Sequence, residues 1–468
     1  MPPPETHQVA HPINPQSNRK EHIDMSRLAP VLATVVSATL AVGSTGITVA
    51  QSGGPDALTA QGRAGLGPQG ASVVVAWNRE LLRIVQIPGA QPATVHQTRS
   101  YALLHLAIYD AIVSITRDGP AYLVSVEAPS GARPDAAAAA AGHAALVALY
   151  PAMKPEIDQL LADQLALIPD GPPRTRGVEV GDKVASLLLA ARANDGSAST
   201  PAPFVAGALP GDYRPTPPNF PSPIFTSWGS VTPFVLQTGA QFRPVPPPPL
   251  PSAAYAEAIT EVERLGRDSS TTRTGDQTVI AKFWAPPIWN TWNAIAEDAA
   301  VAHHADLGRT AAMFAALNLA FADSAIAMYD GKYQYQLWRP VTAIRLADTD
   351  GNPATIGDPT WTPLAITAAD PSYPGAHSTI SAAGATVLAA FFGNRDTIQV
   401  SSIALPGVER TFDRYSDVAA EAGLSRILAG QHTRLDHEAG TRLGSDVADF
   451  VLRETGLVQV GVDGGHRP

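Results

Sequence analysis

SYALLHLAIYDAIVSI, residues 100–115, is the stretch that decides the fold. Leu103, Leu106, Ala107, Asp110 and Ala111 recur at intervals of three and four, which brings side chains onto one face of an α-helix. The same interval continues downstream. PDAAAAAAGHAALVALY sets a proline near the start of an alanine run, as helix N-termini often do. KPEIDQLLADQLALI and VGDKVASLLLAARAND repeat it, and so do SAAYAEAITEVERLG, NTWNAIAEDAAVAHH, RTAAMFAALNLAFADSAIAMYD and HSTISAAGATVLAAFFG. Two last helices flank Gly430. No run of alternating strands and no internal repeat is obvious, so the expected fold class is all-α.

Between the helical stretches, residues 200–252 hold TPAPF, RPTPPNFPSPIF and FRPVPPPPLPS. Proline at this density forbids regular helix and favours extended conformation. The interspersed Phe, Tyr and Trp point to an ordered surface loop rather than a disordered linker. It divides an N-terminal helical region, 73–199, from a C-terminal bundle, 253–457, with a tail at 458–468.

At the other end, Arg27 is followed by LAPVLATVVSATLAVGSTGITVAQS. A basic residue, an apolar run and small residues near Ala50 fit a cleavable export signal. Pro30, Gly43 and Gly46 make the run a poor permanent span. Residues 1–50 are therefore expected to be a leader, with Met25 a possible true start, followed by a flexible stretch at 51–72. No later segment has the length and apolarity of a membrane helix. The mature protein is expected outside the cytoplasm without a stable membrane span.

The 468 residues are 45% hydrophobic and 16% charged, enough for a sizeable core. A net charge of −10 argues against a nucleic-acid partner held by a broad basic surface. A few arginines in a cleft still act locally on a small anion. With no cysteine, disulfides, thiolate catalysis and cysteine-based zinc sites are excluded.

Three segments carry chemistry. GKYQYQLWRP (331–340) sets Lys332 and Arg339 seven apart, so two helical turns would return them to nearly one face, a clamp for an anion. A solvated basic face is the plain alternative. In PSYPGAHSTISAAGATVLAAFFG (371–393), Pro374 and Gly375 deliver Ala376 and His377 to a helix start, where free N–H groups bind anions and a histidine can move protons. The alternative is a histidine that caps or packs. In SRILAGQHTRLDHEAG (425–440), Gly430 suggests that one helix stops and another starts. His432 would then face back toward Arg426, and Asp436, one turn on, could hold an imidazole N–H. Two charged residues on a surface helix are the alternative. The remaining histidines invite blander readings. His303 and His304 cannot share a helix face, His437-Glu438 does not continue as a zinc motif, and His105 and His143 sit in apolar helices.

Taken in order, Lys-x6-Arg-Pro, Tyr-Pro-x-x-His-Ser and Ser-Arg-x5-His-x3-Asp resemble the three-part signature of the type 2 phosphatidic acid phosphatase and vanadium-dependent haloperoxidase superfamily. The likeness is clearest from Phe283 to Val451, and FWAPPIWNTWNAIA and YALLHLAIYDAI also look like bacterial haloperoxidase sequences. It implies an all-α helical bundle of the haloperoxidase and acid phosphatase type. It implies that Lys332, Arg339 and Arg426 bind the equatorial oxygens of vanadate, or of phosphate in the same site. His432 would be the axial vanadium ligand or the phosphate nucleophile, His377 the general acid/base, and Asp436 the residue orienting His432. Asp323 would support the arginine pair.

Two departures stand out. Gly375 and Ala376 replace the usual Ser-Gly, leaving the Ala376 N–H to serve the oxyanion. Asp370 stands where family members tend to place Phe or His near the halide, and a carboxylate there repels halide unless protonated or turned away. The length, the helical N-terminal half and the lack of membrane helices favour a secreted haloperoxidase-like enzyme acting on hydrogen peroxide and halide. The rivals are a secreted acid phosphatase acting on a phosphate ester through a phosphohistidine, and a non-catalytic oxyanion-binding protein. The oligomeric state is not legible in the sequence.

Overall fold

The computed structural model describes residues 71–90 and 95–459. The expected export signal, its cleavage site, the alternative start and most of the flexible stretch and the tail lie outside them. The described residues are mainly helical, as the three-and-four spacing predicts.

Five helices come first: α1 (Ala71–Val85), α2 (His96–Thr116), α3 (Pro134–Leu149), α4 (Lys154–Ala166) and α5 (Pro172–Ala191). After the proline-rich segment come α6 (Ala253–Gly266), α7 (Gly275–Phe283), α8 (Ile288–Ala302), α9 (Leu307–Tyr335), α10 (Pro340–Arg345), α11 (Ala376–Phe392), α12 (Tyr415–Leu428) and α13 (Arg434–Thr455). The helix ends carry local signals. Pro134 opens α3, Asp306 caps α9 by accepting the Arg309 N–H, and Thr433 with Asp436 forms a reciprocal capping box on α13.

One hairpin was not anticipated. β1 (Arg395–Ser401) pairs antiparallel with β2 (Glu409–Arg414) between α11 and α12. Its strands are only seven and six residues long and carry few apolar residues, Ile398 and Val400 in β1 and Phe412 in β2, so their alternation is brief.

The 29-residue α9 is buried on every side through most of its length. Contrary to expectation, it is long and apolar enough to cross a bilayer, but its most apolar stretch lies wholly inside the fold. Around it, one continuous core runs from Val73 to Leu457, so the boundary expected near residue 200 does not divide the packing. A smaller apolar cluster joins Tyr255, Ile259 and Val262 of α6 to Trp338 and Trp361. The proline-rich segment lies among the described residues. It forms no α-helix, and it buries Tyr213, Trp228 and Phe234 while leaving Val205 and Phe220 in solvent.

The packing reveals a repeat that the sequence did not make obvious. Trp77-Asn78 in α1 corresponds to Trp292-Asn293 in α8. A Cβ at Gly142 of α3 would meet the Trp77 ring at 2.6 Å, and one at Gly384 of α11 would meet the Trp292 ring at 2.6 Å. At the start of α3 the Arg133 N–H donates to Pro173 O at 3.1 Å, and at the start of α11 the Gly375 N–H donates to Asp436 O at 2.9 Å. Gly177 of α5 and Gly440 of α13 are pressed against those same two cap residues, Arg133 and Gly375. On α2, His105 Nε2 bonds Asn78 Oδ1 at 2.8 Å, and on α9, Asn318 Nδ2 bonds Asn293 Oδ1 at 2.9 Å. Each of these residues is followed five places later by a buried aspartate, Asp110 or Asp323, that accepts three successive backbone N–H groups. Thus α1, α2, α3 and α5 are repeated as α8, α9, α11 and α13. Equivalent residues of the two copies touch, Asn78 Nδ2 lying 3.4 Å from Asn293 O.

Candidate active site

The first motif meets differently from its expected geometry. α9 ends at Tyr335, because Gln336 takes a left-handed conformation (φ 45°, ψ 38°) and its N–H closes on Lys332 O. Arg339 is the residue that caps α10. Lys332 and Arg339 therefore do not share a face over two helical turns. They converge because the chain turns between them, and the residue on which they converge is Asp370.

Lys332 Nζ donates to Pro371 O, to Ser372 O at 3.2 Å and to Asp370 Oδ1 at 3.4 Å. Arg339 donates from Nε to Asp370 O at 2.7 Å and from Nη2 to Asp370 Oδ1. Its Nη1 donates to Gln431 O at 2.9 Å and to His432 Nε2 at 3.1 Å. Asp370 Oδ2 accepts from the Tyr329 hydroxyl at 3.0 Å. All four groups are buried. Burial pushes the Lys332 ammonium down to about 8 despite the nearby Asp370. Burial works against the charge on Asp370, but Lys332 and Arg339 outweigh it and hold the carboxyl down at about 2. The carboxylate feared as a barrier to halide is thus turned onto the cations.

The second motif lies where expected. Gly375 is the N-cap of α11, and Ala376 and His377 begin the helix, half-buried. N–H groups of a first turn have no intrahelical carbonyl to bond. His377 Nε2 donates to Trp284 O at 2.8 Å. Burial and the Arg426 charge hold the imidazole well below its ordinary range, so it is neutral at physiological pH.

The third motif also breaks where Gly430 stands. α12 ends at Leu428, Gly430 takes φ +75°, and α13 begins at Arg434. Between them the N–H groups of Gln431 and His432 both donate to Arg426 O, folding His432 back over Arg426. His432 Nε2 accepts from Arg339, so its proton sits on Nδ1, 3.3 Å from Asp436 Oδ2. Burial and Arg339 press the His432 pKa down to about 3, leaving a neutral ring whose Nε2 carries the lone pair. Asp436 is held below its usual range despite burial, mainly by His432, with help from Ser372 Oγ at 2.7 Å and the Thr433 N–H at 2.8 Å.

Arg426 completes the pocket. It is buried, makes no ion pair among the described residues, and its Nη1 has no hydrogen-bond partner. Burial and Arg339 lower its pKa to about 10, so it stays charged. Three cations face two carboxylates here. An orphaned, buried guanidinium nitrogen calls for an anion. That Nη1, the His432 lone pair and the first-turn N–H groups of α11 fit a tetrahedral oxyanion such as vanadate or phosphate. Among the described residues no three His, Asp or Glu side chains gather to chelate a metal cation, and an anionic metal oxide needs no such cluster.

Asp323 needs correction. Its carboxylate accepts the N–H groups of Phe234, Val235 and Leu236 at 2.6, 2.7 and 2.8 Å, and it supports neither Arg339 nor Arg426. It lies nine residues before Lys332 on the same helix, about 13 Å along its axis. Asp370 takes the supporting part instead. Ser372, Tyr329 and the carbonyls of Gln431 and Trp284 were not anticipated either. Backbone acceptors leave no mark in side-chain patterns.

Comparison with known proteins places the chain among relatives of one kind. The family description "VCPO second helical-bundle domain" matches residues 312–458, which hold all three motifs. The vanadium chloroperoxidase of Curvularia inaequalis is 25% identical over 492 aligned positions, covering 78% of this chain and 79% of that protein. The crystal structure described as the first bacterial vanadium-dependent iodoperoxidase aligns with a TM-score of 0.72 at 25% identity, covering 83% of this chain and 97% of that one. A holo-type bacterial vanadium-dependent chloroperoxidase shares the fold, with a TM-score of 0.62 at 17% identity over 81% of this chain and 96% of that one. With its three motifs converging on one buried cationic pocket, the chain is a haloperoxidase-like member of the vanadium haloperoxidase and type 2 phosphatidic acid phosphatase superfamily.

Proposed function

We propose that the protein is an exported vanadate-dependent haloperoxidase that uses hydrogen peroxide to oxidise a halide. The observation that carries this reading is the pairing of Arg426, a buried cation with no carboxylate partner among the described residues, with a neutral His432 whose Nε2 lone pair is tuned by Arg339. Bound vanadate supplies a high-valent Lewis acid that activates peroxide without itself changing oxidation state.

The chain's own residues do the rest. Lys332, Arg339 and Arg426 bind the oxyanion and offset its charge inside a buried site, where such donors act most strongly. His432 Nε2 holds the metal centre, and Asp436 fixes the tautomer that exposes that nitrogen. His377, neutral and at the helix start, accepts and returns protons at its ring nitrogen. The net reaction consumes one peroxide, one halide and one proton and yields hypohalous acid and water. The apolar stretch at 31–50 supports export, and secreted protein is expected to begin near Gln51 by mass spectrometry.

The test is a paired assay of purified protein with and without orthovanadate, following halide-dependent dye halogenation and phosphate-ester hydrolysis side by side. Vanadate-dependent halogenation is the expected outcome. Ester hydrolysis that vanadate inhibits would instead assign His432 as a phosphate nucleophile. Neither activity, with vanadate bound, would leave an oxyanion-binding protein.

A further inference from the structure

Most donors in the pocket already have partners. Lys332 has three N–H groups, and all three are taken, by Pro371 O, Ser372 O and Asp370 Oδ1. Arg339 has five, and four are taken: two by Asp370, one by Gln431 O and one by His432 Nε2. Of the three cations assigned to the oxyanion, only Arg426 has an orphaned nitrogen. An oxyanion that engages Lys332, or more than one N–H of Arg339, must therefore take donors from something already holding them. Pro371, Ser372 and Gln431 offer main-chain carbonyls fixed by the backbone. The Asp370 carboxylate is the negatively charged occupant on a rotatable side chain.

We propose that Asp370 is an intramolecular anion that competes with the oxyanion for Lys332 and Arg339, and thereby sets the affinity of the pocket. The inference rests on the oxyanion reading above. Asp370 Oδ1 bridges the two cations as one oxygen of a bound oxyanion would. Its second oxygen is held separately by the Tyr329 hydroxyl at 3.0 Å. That bond gives the carboxylate a partner to keep when Oδ1 gives way, so displacement does not strand a buried charge. The longest of its contacts, 3.4 Å to Lys332 Nζ, is also the weakest, and it yields first. While it stays, Asp370 cancels one of the positive charges that attract an anion, and its removal strengthens that attraction over short range in a poorly screened site.

The experiment measures binding, not turnover. Inorganic phosphate and orthovanadate are titrated into wild type, Asp370→Asn and Asp370→Ala by calorimetry, with thermal unfolding confirming the fold. Asp370→Asn keeps the shape and removes the charge, so it is expected to bind both anions about tenfold more tightly or better. Equal or weaker binding by a folded variant overturns the competition while leaving the oxyanion pocket standing. If neither wild type nor variant binds either anion, both readings fall. Should the variants not fold, crystals of wild type soaked in phosphate decide. A phosphate oxygen replacing Asp370 Oδ1 at Arg339 Nη2 is expected. Phosphate held by Arg426 with Asp370 still on both cations overturns the proposal.

Discussion

The two copies of the helical repeat share a frame and differ in chemistry. Trp77 presses on Gly142 as Trp292 presses on Gly384, and the Arg133–Pro173 backbone bond matches that of Gly375 and Asp436. Yet where the second copy has His377 and Asp436, the first has Asp135 and Pro173 at the equivalent places, and Asp135 is spent on an ion pair with Arg133. The linkers differ more. Residues 117–133 join α2 to α3, whereas 336–375 join α9 to α11 and bring in Arg339 and Asp370. The packing of the four helices makes the scaffold. The site is added to one copy by a longer linker and a handful of substitutions at helix starts.

The sharpest way to break that comparison is to remove the reactive nitrogen. His432→Ala is expected to abolish turnover in whichever assay the wild type passes, while a substitution at the equivalent position of the first copy, Pro169→Ala, leaves the rate alone. Truncating one imidazole changes stability little, so loss of activity should come without unfolding. His377→Ala should cost about 10²–10⁴-fold in rate and spare vanadate affinity, because its part is proton transfer. Asp436→Asn should cost about 10–100-fold, because it disturbs only the orientation and basicity of His432. Steady-state kinetics set against vanadate titration checks the order.

The shared frame is tested by Gly142→Ala and Gly384→Ala. Each puts a methyl into a tryptophan ring 2.6 Å away, and each should cost about 1–3 kcal/mol in denaturant unfolding. A large cost at one and none at the other would break the correspondence between the copies.

The smallest effect concerns pH. Burial raises both Asp110 and Asp323 to about 6 in the folded chain, against backbone N–H bonds that pull the other way. A carboxyl whose folded pKa is raised binds its proton more tightly in the native state, so stability falls as pH climbs from about 4 through 6. Asp110→Asn and Asp323→Asn should each flatten that decline by a similar amount in unfolding measured across the range.

Much of the site was legible because its residues stand at helix breaks that local chemistry announces. Gly430 marks the turn that folds His432 over Arg426, and Pro374-Gly375 marks the start of α11. Lys332 and Arg339 converge, but not through the helical spacing that suggests it, since Gln336 ends the helix between them. Whether Asp370 faces a halide or turns away is not legible, because its direction depends on a linker whose path no periodicity describes; the structure turns it onto Lys332 and Arg339. Asp323 was misassigned because its partners, the backbone of 234–236, come from the distant proline-rich segment. The repeat is not obvious in the sequence because few identities carry it; the glycine contacts that reveal it exist only once the helices pack.

The most direct test of the central claim is a crystal of the protein soaked in orthovanadate, with vanadium located by anomalous scattering. Vanadium bonded to His432 Nε2, Arg339 Nη1 withdrawn from that nitrogen, and vanadate oxygens on Lys332, Arg339 and Arg426 are the expected result. Vanadium elsewhere in the molecule, or a His432 Nε2 still capped by Arg339 at saturating vanadate, would contradict it.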